Sequence, residues 1–177
     1  NKSNKFINKS FNLGFELLNK VNTYKFINGP ISKKNFLNKK YLGITEYISD
    51  YFFIKNSVML IFNKKLSVCP LTTHLPLKLV SKKINKNIIQ NKIKLIDDFY
   101  IKYFGFKPKI GVTGLNPHCE SNQMQNEDEK IIRPSINYLK DRGCLVSGPY
   151  SADTIFLKRN RKNFDVIVGM YHDQVLT

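Results

Sequence analysis

Apolar positions along the chain alternate between short runs of β-forming residues and longer stretches with helical spacing. The predicted strands cover residues 24–27, 58–63 and 66–71 (the last two as a hairpin), 109–113, 144–147 and 164–169. The predicted helices cover residues 5–20, about 80–104, about 126–142 and a short segment from about Ser151. This alternation predicts a layered α/β fold with a largely parallel sheet.

Polar and glycine residues mark the ends of two of these helices. Asn126 with Glu129 resembles a capping box, and Gly143 is a C-terminal stop. Gly105 ends the long helix before it. No internal repeat or low-complexity linker interrupts the pattern, so no domain boundary is predicted from it.

Composition indicates a globular protein of one domain or slightly more. The chain has 177 residues, of which 42% are hydrophobic and 12% aromatic. Cys69, Cys119 and Cys144 share no spacing typical of disulfides or CxxC sites, which favours a reducing cytoplasm. No membrane span or signal peptide is predicted.

A formal net charge of +16 raises the question of nucleic acid. Lysine supplies nearly all of this charge along the whole length, without the arginine clusters that usually read bases. Tyr and Phe lie within apolar runs, as core residues do. We therefore expect a solvated lysine surface and no nucleic-acid partner.

The three histidines, His74, His118 and His172, each follow a predicted strand. Loops at the carboxyl ends of parallel strands gather at one edge, so three imidazoles there could bind one cation. For any single histidine, a hydrogen-bonded loop or core position is the simpler interpretation. Asp173 and Asp153 lie nearby and could orient rings or carry protons, although Asp153 also fits an ordinary position at a helix start.

Phosphate and dinucleotide motifs give little further guidance. Lys33, after Gly29-Pro30, could meet an anionic substrate group, but lysine is abundant throughout the chain. Neither GxGxxG nor GxxxxGK[ST] occurs, which gives no support to the common dinucleotide-binding and P-loop folds.

Four ordered motifs resemble the 4-hydroxythreonine-4-phosphate dehydrogenase family of pyridoxal phosphate biosynthesis. The similarity runs from about Asn28 to the last residue. Its motifs are Thr72-Thr73-His74-Leu75-Pro76-Leu77, Gly114-Leu115-Asn116-Pro117-His118, Gly148-Pro149 with Ala152-Asp153-Thr154, and Tyr171-His172-Asp173-Gln174.

The resemblance implies an α/β/α fold related to isocitrate and isopropylmalate dehydrogenases, which bind NAD without the Rossmann glycines. It implies a homodimer whose active sites lie at the subunit interface. His74 and His118 of one subunit and His172 of the other would bind a divalent metal such as Zn, Mg, Mn or Co. NAD or NADP would be the second cofactor, with no binding residues assigned.

The implied reaction oxidises the C3 hydroxyl of 4-phosphooxy-L-threonine. The resulting β-keto acid loses CO2 and gives 3-amino-2-oxopropyl phosphate. Asp153 and Asp173 are the candidates for proton handling, and Thr45 and Lys33 are the candidates for substrate binding.

Three departures from the family pattern keep other functions open. Ile44 replaces a histidine usual in the substrate loop, and the loop from Cys119 to Gln123 lacks the family's glycines. Segments expected before and after the chain are absent, so a fragment lacking both ends is expected. The alternatives are a dehydrogenase of threonate or erythronate 4-phosphate, an inactive fragment, and a basic nucleic-acid-binding protein.

Overall fold

The computed structural model describes residues 2–21, 25–37, 40–119 and 126–176, apart from the side chains of Lys33 and Lys34. The chain divides into two compact units, Asn1–Phe53 and Ile54–Thr177. The chain is rich in Asn and Lys on both sides of this boundary. Neither the composition nor the pattern of apolar residues predicted it.

The N-terminal unit is helical and the C-terminal unit contains the sheet. The helices are α1 (Lys2–Lys20), α2 (Lys33–Phe36), α3 (Ile44–Tyr51), α4 (Val80–Lys83), α5 (Lys86–Phe104), α6 (Arg133–Asp141), α7 (Ala152–Ile155), α8 (Lys158–Arg161) and α9 (Asp173–Leu176). The strands are β1 (Ser67–Thr72), β2 (Ile110–Thr113), β3 (Val146–Tyr150) and β4 (Val166–Tyr171). Short 3-10 turns cover Leu77–Leu79 and Pro117–Cys119, and a π-helical turn covers Asp128–Ile132.

Aromatic rings hold the N-terminal unit together. Phe11 and Phe15, four residues apart on α1, are its most buried aromatic side chains, as the helical spacing predicts. Phe36 stacks on Phe11 with ring centroids 5.5 Å apart. The strand predicted at 24–27 is wrong over its described residues, because Phe26 packs on Phe11 and Phe15 instead of joining a sheet. Tyr24 lies outside the described residues.

The sheet has the order β1-β4-β2-β3, and all three strand pairs are parallel. Alternate β4 residues pack on its two faces. Val166, Val168 and Met170 join the cluster formed with α5 and α6, whereas Ile167 joins Ile155 and Val175 on the other face. Helices therefore cover both faces, and the predicted parallel α/β fold is confirmed.

Two predictions within the C-terminal unit are wrong. The hairpin of 58–63 with 66–71 reduces to one antiparallel bridge between Ile61 and Val68, because β1 makes its extended pairing with β4. The single helix at 80–104 is two helices, α4 and α5. Ile84 is extended (φ −68°, ψ 119°), and Asn85 Oδ1 accepts the Ile88 N–H over 3.0 Å to start α5.

The capping signals around α6 are partly confirmed. Asn126 Oδ1 accepts the Glu129 N–H over 2.9 Å. The Glu129 carboxylate does not return to Asn126 and instead binds Arg133 through two nitrogens. Gly143 (φ 81°) ends the helix in the left-handed conformation that glycine adopts easily.

All three cysteines are buried and none is in a disulfide. Burial raises the pKa of the Cys69 thiol to about 12. Across the described ranges, none of the helices combines the length and apolarity that crossing a bilayer requires.

Replacing the α5 cap tests the helix break. Asn85→Ala removes the acceptor of the Ile88 N–H, so we expect the free energy of unfolding to fall by about 1 kcal/mol in urea titrations. Asn91→Ala, at an exposed position within α5, is the matched control and should cause no loss, because alanine favours helix interiors. Equal losses in the two variants would contradict the cap.

Candidate active site

Two of the three histidines lie on neighbouring strand ends. Thr72 of β1 pairs with Tyr171 of β4, and His74 lies two residues after Thr72 while His172 directly follows Tyr171. Thr72 Oγ1 also donates to the Met170 carbonyl over 2.8 Å, which fixes the two strand ends to each other. His74 and His172 line one cleft of about 310 Å³, together with Thr72, Leu75, Leu77, Val80, Tyr171 and Asp173.

The His172 ring is positioned by its neighbour in sequence. Its Nδ1 lies 2.8 Å from Asp173 Oδ1, and both side chains are exposed. A carboxylate at one ring nitrogen fixes the orientation of an imidazole and leaves Nε2 for another partner. This pairing is typical of histidines that bind metals, although it also occurs in ordinary surface pairs.

His118 lies in the turn Pro117–Cys119 after β2, where its side chain is exposed. Its backbone is left-handed (φ 62°), and so is that of His74 (φ 54°). Each such non-glycine residue costs about 1–3 kcal/mol and persists only where the surroundings impose the conformation. Two of the three histidines therefore share an unfavourable backbone conformation, a feature that concentrates at functional sites.

Asp128 holds the loop that carries His118. This fully buried carboxylate accepts the backbone N–H groups of Leu115 and Asn116 over 2.7 and 3.2 Å, and the Asn116 side-chain amide over 2.9 Å. Gly114 is required beside it, because a Cβ there would come within 2.7 Å of Asp128 Oδ1 and closer still to the Cys119 sulfur. The turn is therefore fixed by the hydrogen bonds of the buried Asp128 side chain and by the absence of a side chain at Gly114.

Gln174 joins the ends of β2 and β4. Its Oε1 accepts the Met170 N–H over 2.7 Å and the Thr113 hydroxyl over 3.0 Å, and its Nε2 donates to the Gly114 carbonyl over 2.9 Å. One amide thus connects the strand before His172 to the loop before His118. We call this set of three bonds the Gln174 brace.

Asp153 lies on α7, which packs against the His118 turn. Its exposed carboxylate accepts the Ser151 hydroxyl over 2.5 Å. Burial raises the pKa of the Cys119 thiol, and the carboxylates of Asp128 and Asp153 add to this effect. Asp153 is therefore within electrostatic reach of the residue that follows His118.

The two predicted substrate residues belong to the N-terminal unit. Thr45 is half-buried in the first turn of α3, which begins at Ile44 directly after the extended Gly43. Lys33 begins α2, but its side chain lies outside the described part of the chain. Their roles toward substrate stay predictions.

A single chain does not assemble a complete metal site from its described residues. Within 2–21, 25–37, 40–119 and 126–176, no three His, Cys, Asp or Glu side chains converge as metal ligands would. His74 and His172 nevertheless share a cleft beside a carboxylate, and imidazole nitrogen with carboxylate oxygen is a donor set that suits Zn, Mn or Co. The three-histidine ligand set and its division between subunits stay predictions.

Sequence reasoning did not identify Asp128 or Gln174 as part of the site. Asp128 stands in the acidic run Glu127–Glu129, which reads as an exposed helix start. Gln174 belongs to the Tyr171–Gln174 motif, but only the fold shows that its amide spans two strand ends. The available signal was position, since Gln174 lies two residues after His172 and Asp128 lies ten residues after His118.

Removing the Gln174 brace tests its structural role. Gln174→Ala leaves the Met170 N–H and Gly114 carbonyl without this partner, so we expect a loss of about 1–3 kcal/mol in the free energy of unfolding. Gln90→Ala, at a half-buried position on α5, is the matched control and should change stability far less. A loss no larger than the control's, measured by urea denaturation, would contradict the role of the brace.

Comparison with known proteins places these motifs in a family. The family model described as pyridoxal phosphate biosynthetic protein PdxA matches residues 1–177. The 4-hydroxythreonine-4-phosphate dehydrogenase of Sulfurihydrogenibium sp. (strain YO3AOP1) is 41% identical over 152 residues, 83% of this chain and 46% of that protein. The protein of the same name from Wigglesworthia glossinidia brevipalpis is 38% identical over 154 residues, 85% of this chain and 46% of its own length.

A solved structure agrees with these sequence relatives. The crystal structure of 4-hydroxythreonine-4-phosphate dehydrogenase from Klebsiella pneumoniae has a TM-score of 0.71 and 29% identity, covering 82% of this chain and 46% of that one. The chain spans about half the length of the curated relatives it matches. With its histidine motifs on parallel strand ends and a family match over its whole length, the chain belongs to the PdxA family of pyridoxal phosphate biosynthetic proteins.

Proposed function

We propose that this chain forms part of an NAD(P)-dependent, divalent-metal-dependent dehydrogenase that oxidises 4-phosphooxy-L-threonine in a cytoplasmic pathway to pyridoxal phosphate. The β-keto acid formed would lose CO2 to give 3-amino-2-oxopropyl phosphate. The observation that carries the proposal is the PdxA family match over the whole chain, in which His74, His118 and His172 each follow a strand at the carboxyl edge of the parallel sheet. The names of the relatives support the substrate.

In this proposal the histidines bind the metal, and their neighbours position them. His74 and His118 of one subunit would meet His172 of the other, so a homodimer is needed for a complete site. When bound, the divalent ion would stabilise the alkoxide that expels hydride and later the charge formed as CO2 leaves. Asp173 would hold the His172 ring through Nδ1, and Asp153, exposed beside the His118 turn, would exchange protons with substrate or solvent.

One feature favours a second candidate substrate. Ile44 stands directly before Thr45 at the start of α3, where the resemblance places a histidine in other members. An isoleucine side chain cannot donate a hydrogen bond to substrate. A dehydrogenase of the same family acting on threonate or erythronate 4-phosphate, which lack the amino group, is therefore the alternative.

The metal proposal predicts graded losses of affinity in the assembled dimer. His118→Ala should abolish stoichiometric Zn²⁺ or Mn²⁺ binding in calorimetry. Asp173→Asn should weaken it by about 10- to 100-fold, because the ring then loses its charged partner. Asn137→Ala, exposed on α6, is the control and should bind metal as the unaltered protein does.

Unchanged metal binding by His118→Ala would remove the central claim. Circular dichroism of each variant separates loss of ligands from loss of fold.

The substrate proposal is tested by NAD(P) reduction in the whole protein, with and without divalent metal. We expect turnover of 4-phosphooxy-L-threonine at a higher kcat/KM than of threonate or erythronate 4-phosphate. Ile44→His should raise that kcat/KM by about tenfold through one added hydrogen bond, whereas Ile44→Val should not. Preference for the acids without an amino group would establish the alternative.

A further inference from the structure

A cleft rich in positive charge lies at the end of the sheet opposite to the histidines. Ser67 and Val166 begin the paired strands β1 and β4, and the Ser67 N–H donates to the Asp165 carbonyl over 2.9 Å. The segments that precede these strands therefore lie side by side and flank an open cleft of about 420 Å³, whose charged lining residues are exposed. We call this space the cationic cleft, and its lining residues are Asn63, Lys65, Leu66, Lys158, Arg161 and Lys162.

The lining of the cationic cleft includes four cations and, among the described residues, no carboxylate. Over the described ranges, none of the four forms an ion pair with an acidic side chain. Asp165 precedes β4, but its carboxylate accepts the Lys109 N–H over 2.7 Å and lines a separate hollow beside Phe62. Among the described residues, the four cations of the cleft therefore have no acidic side chain at ion-pair distance.

Concentrating like charges in a concave space destabilises the folded chain unless an anion is bound. The same geometry focuses the electric field and raises the local concentration of anions. Arg161 adds a planar fork that matches two phosphate oxygens at once. Residues 158–162 hold four cations in five positions, and the fold places Lys158, Arg161 and Lys162 of this run beside Lys65.

We propose that the cationic cleft binds a small polyanion with at least two phosphate groups, such as a di- or triphosphate. Its volume is within the range of small-ligand sites. Among the described residues, Leu66 is its one apolar lining residue and no aromatic ring lines it, so these residues form no stacking platform of the kind that single-stranded nucleic acid uses. The site is separate from the histidine cleft and does not depend on the proposed dehydrogenase activity.

Titration calorimetry with tripolyphosphate tests the proposal on the purified chain. We expect saturable binding near one ligand per chain that is tighter than binding of inorganic phosphate. Lys158→Gln with Lys162→Gln should weaken it by about tenfold or more through the loss of two charged contacts. Lys5→Gln with Lys9→Gln, at exposed positions on α1, removes the same charge elsewhere and should weaken it by less than about twofold.

Three results would overturn the proposal. The first is no saturable binding of tripolyphosphate. The second is equal weakening in both double variants, which would indicate a diffuse effect of net charge. The third is tighter binding of an oligothymidylate than of tripolyphosphate with the same dependence on Lys158 and Lys162, which would make the cleft part of a nucleic-acid surface. Ligand-induced increases in Tm, present in the control variant and absent in the cleft variant, provide an independent readout.

Discussion

Strand β4 pairs in parallel with β1 on one side and with β2 on the other. This pairing positions the loops at both ends of the sheet. β4 is buried on both faces, so a one-residue slip would exchange its two packing surfaces and is strongly disfavoured. The register therefore fixes which loops meet. At the carboxyl end it brings His74 beside His172, and at the amino end it brings Lys65 beside the segment 158–162.

The sheet brings the histidine loops to one edge, and polar side chains then fix the conformation of these loops. The left-handed backbone at His118 is unfavourable by itself, and the buried carboxylate of Asp128 offsets it by accepting N–H groups from the same loop. Gln174 acts similarly between β2 and β4. The His118 and His172 side chains are exposed, so these loops are fixed by the hydrogen bonds of their neighbours together with apolar contacts of Leu115 and Val175.

The sequence predicted the helices and strands that follow a repeating apolar pattern. It did not predict features that depend on a single hydrogen-bonded side chain. Apolar periodicity identified α1, β1, β2 and the sheet class, because burial against a sheet dictates those patterns. It did not separate α4 from α5, where Asn85 outweighs a continuous helical pattern. Its motifs located the histidines, but the roles of Asp128 and Gln174 depend on partners that are distant in sequence, which no local pattern encodes. Whether the three histidines bind one metal stays a prediction.

Because of the Gln174 brace, one backbone amide reports whether the edge of the sheet that carries the histidines is ordered. The amide proton of Met170 is donated to the Gln174 side chain, two residues beyond His172. That proton can exchange with solvent only when the end of β4 separates from the side chain, a movement that also displaces the segment bearing the imidazole. The exchange rate of one backbone amide thus reports how often the edge opens, whether or not any ligand is bound.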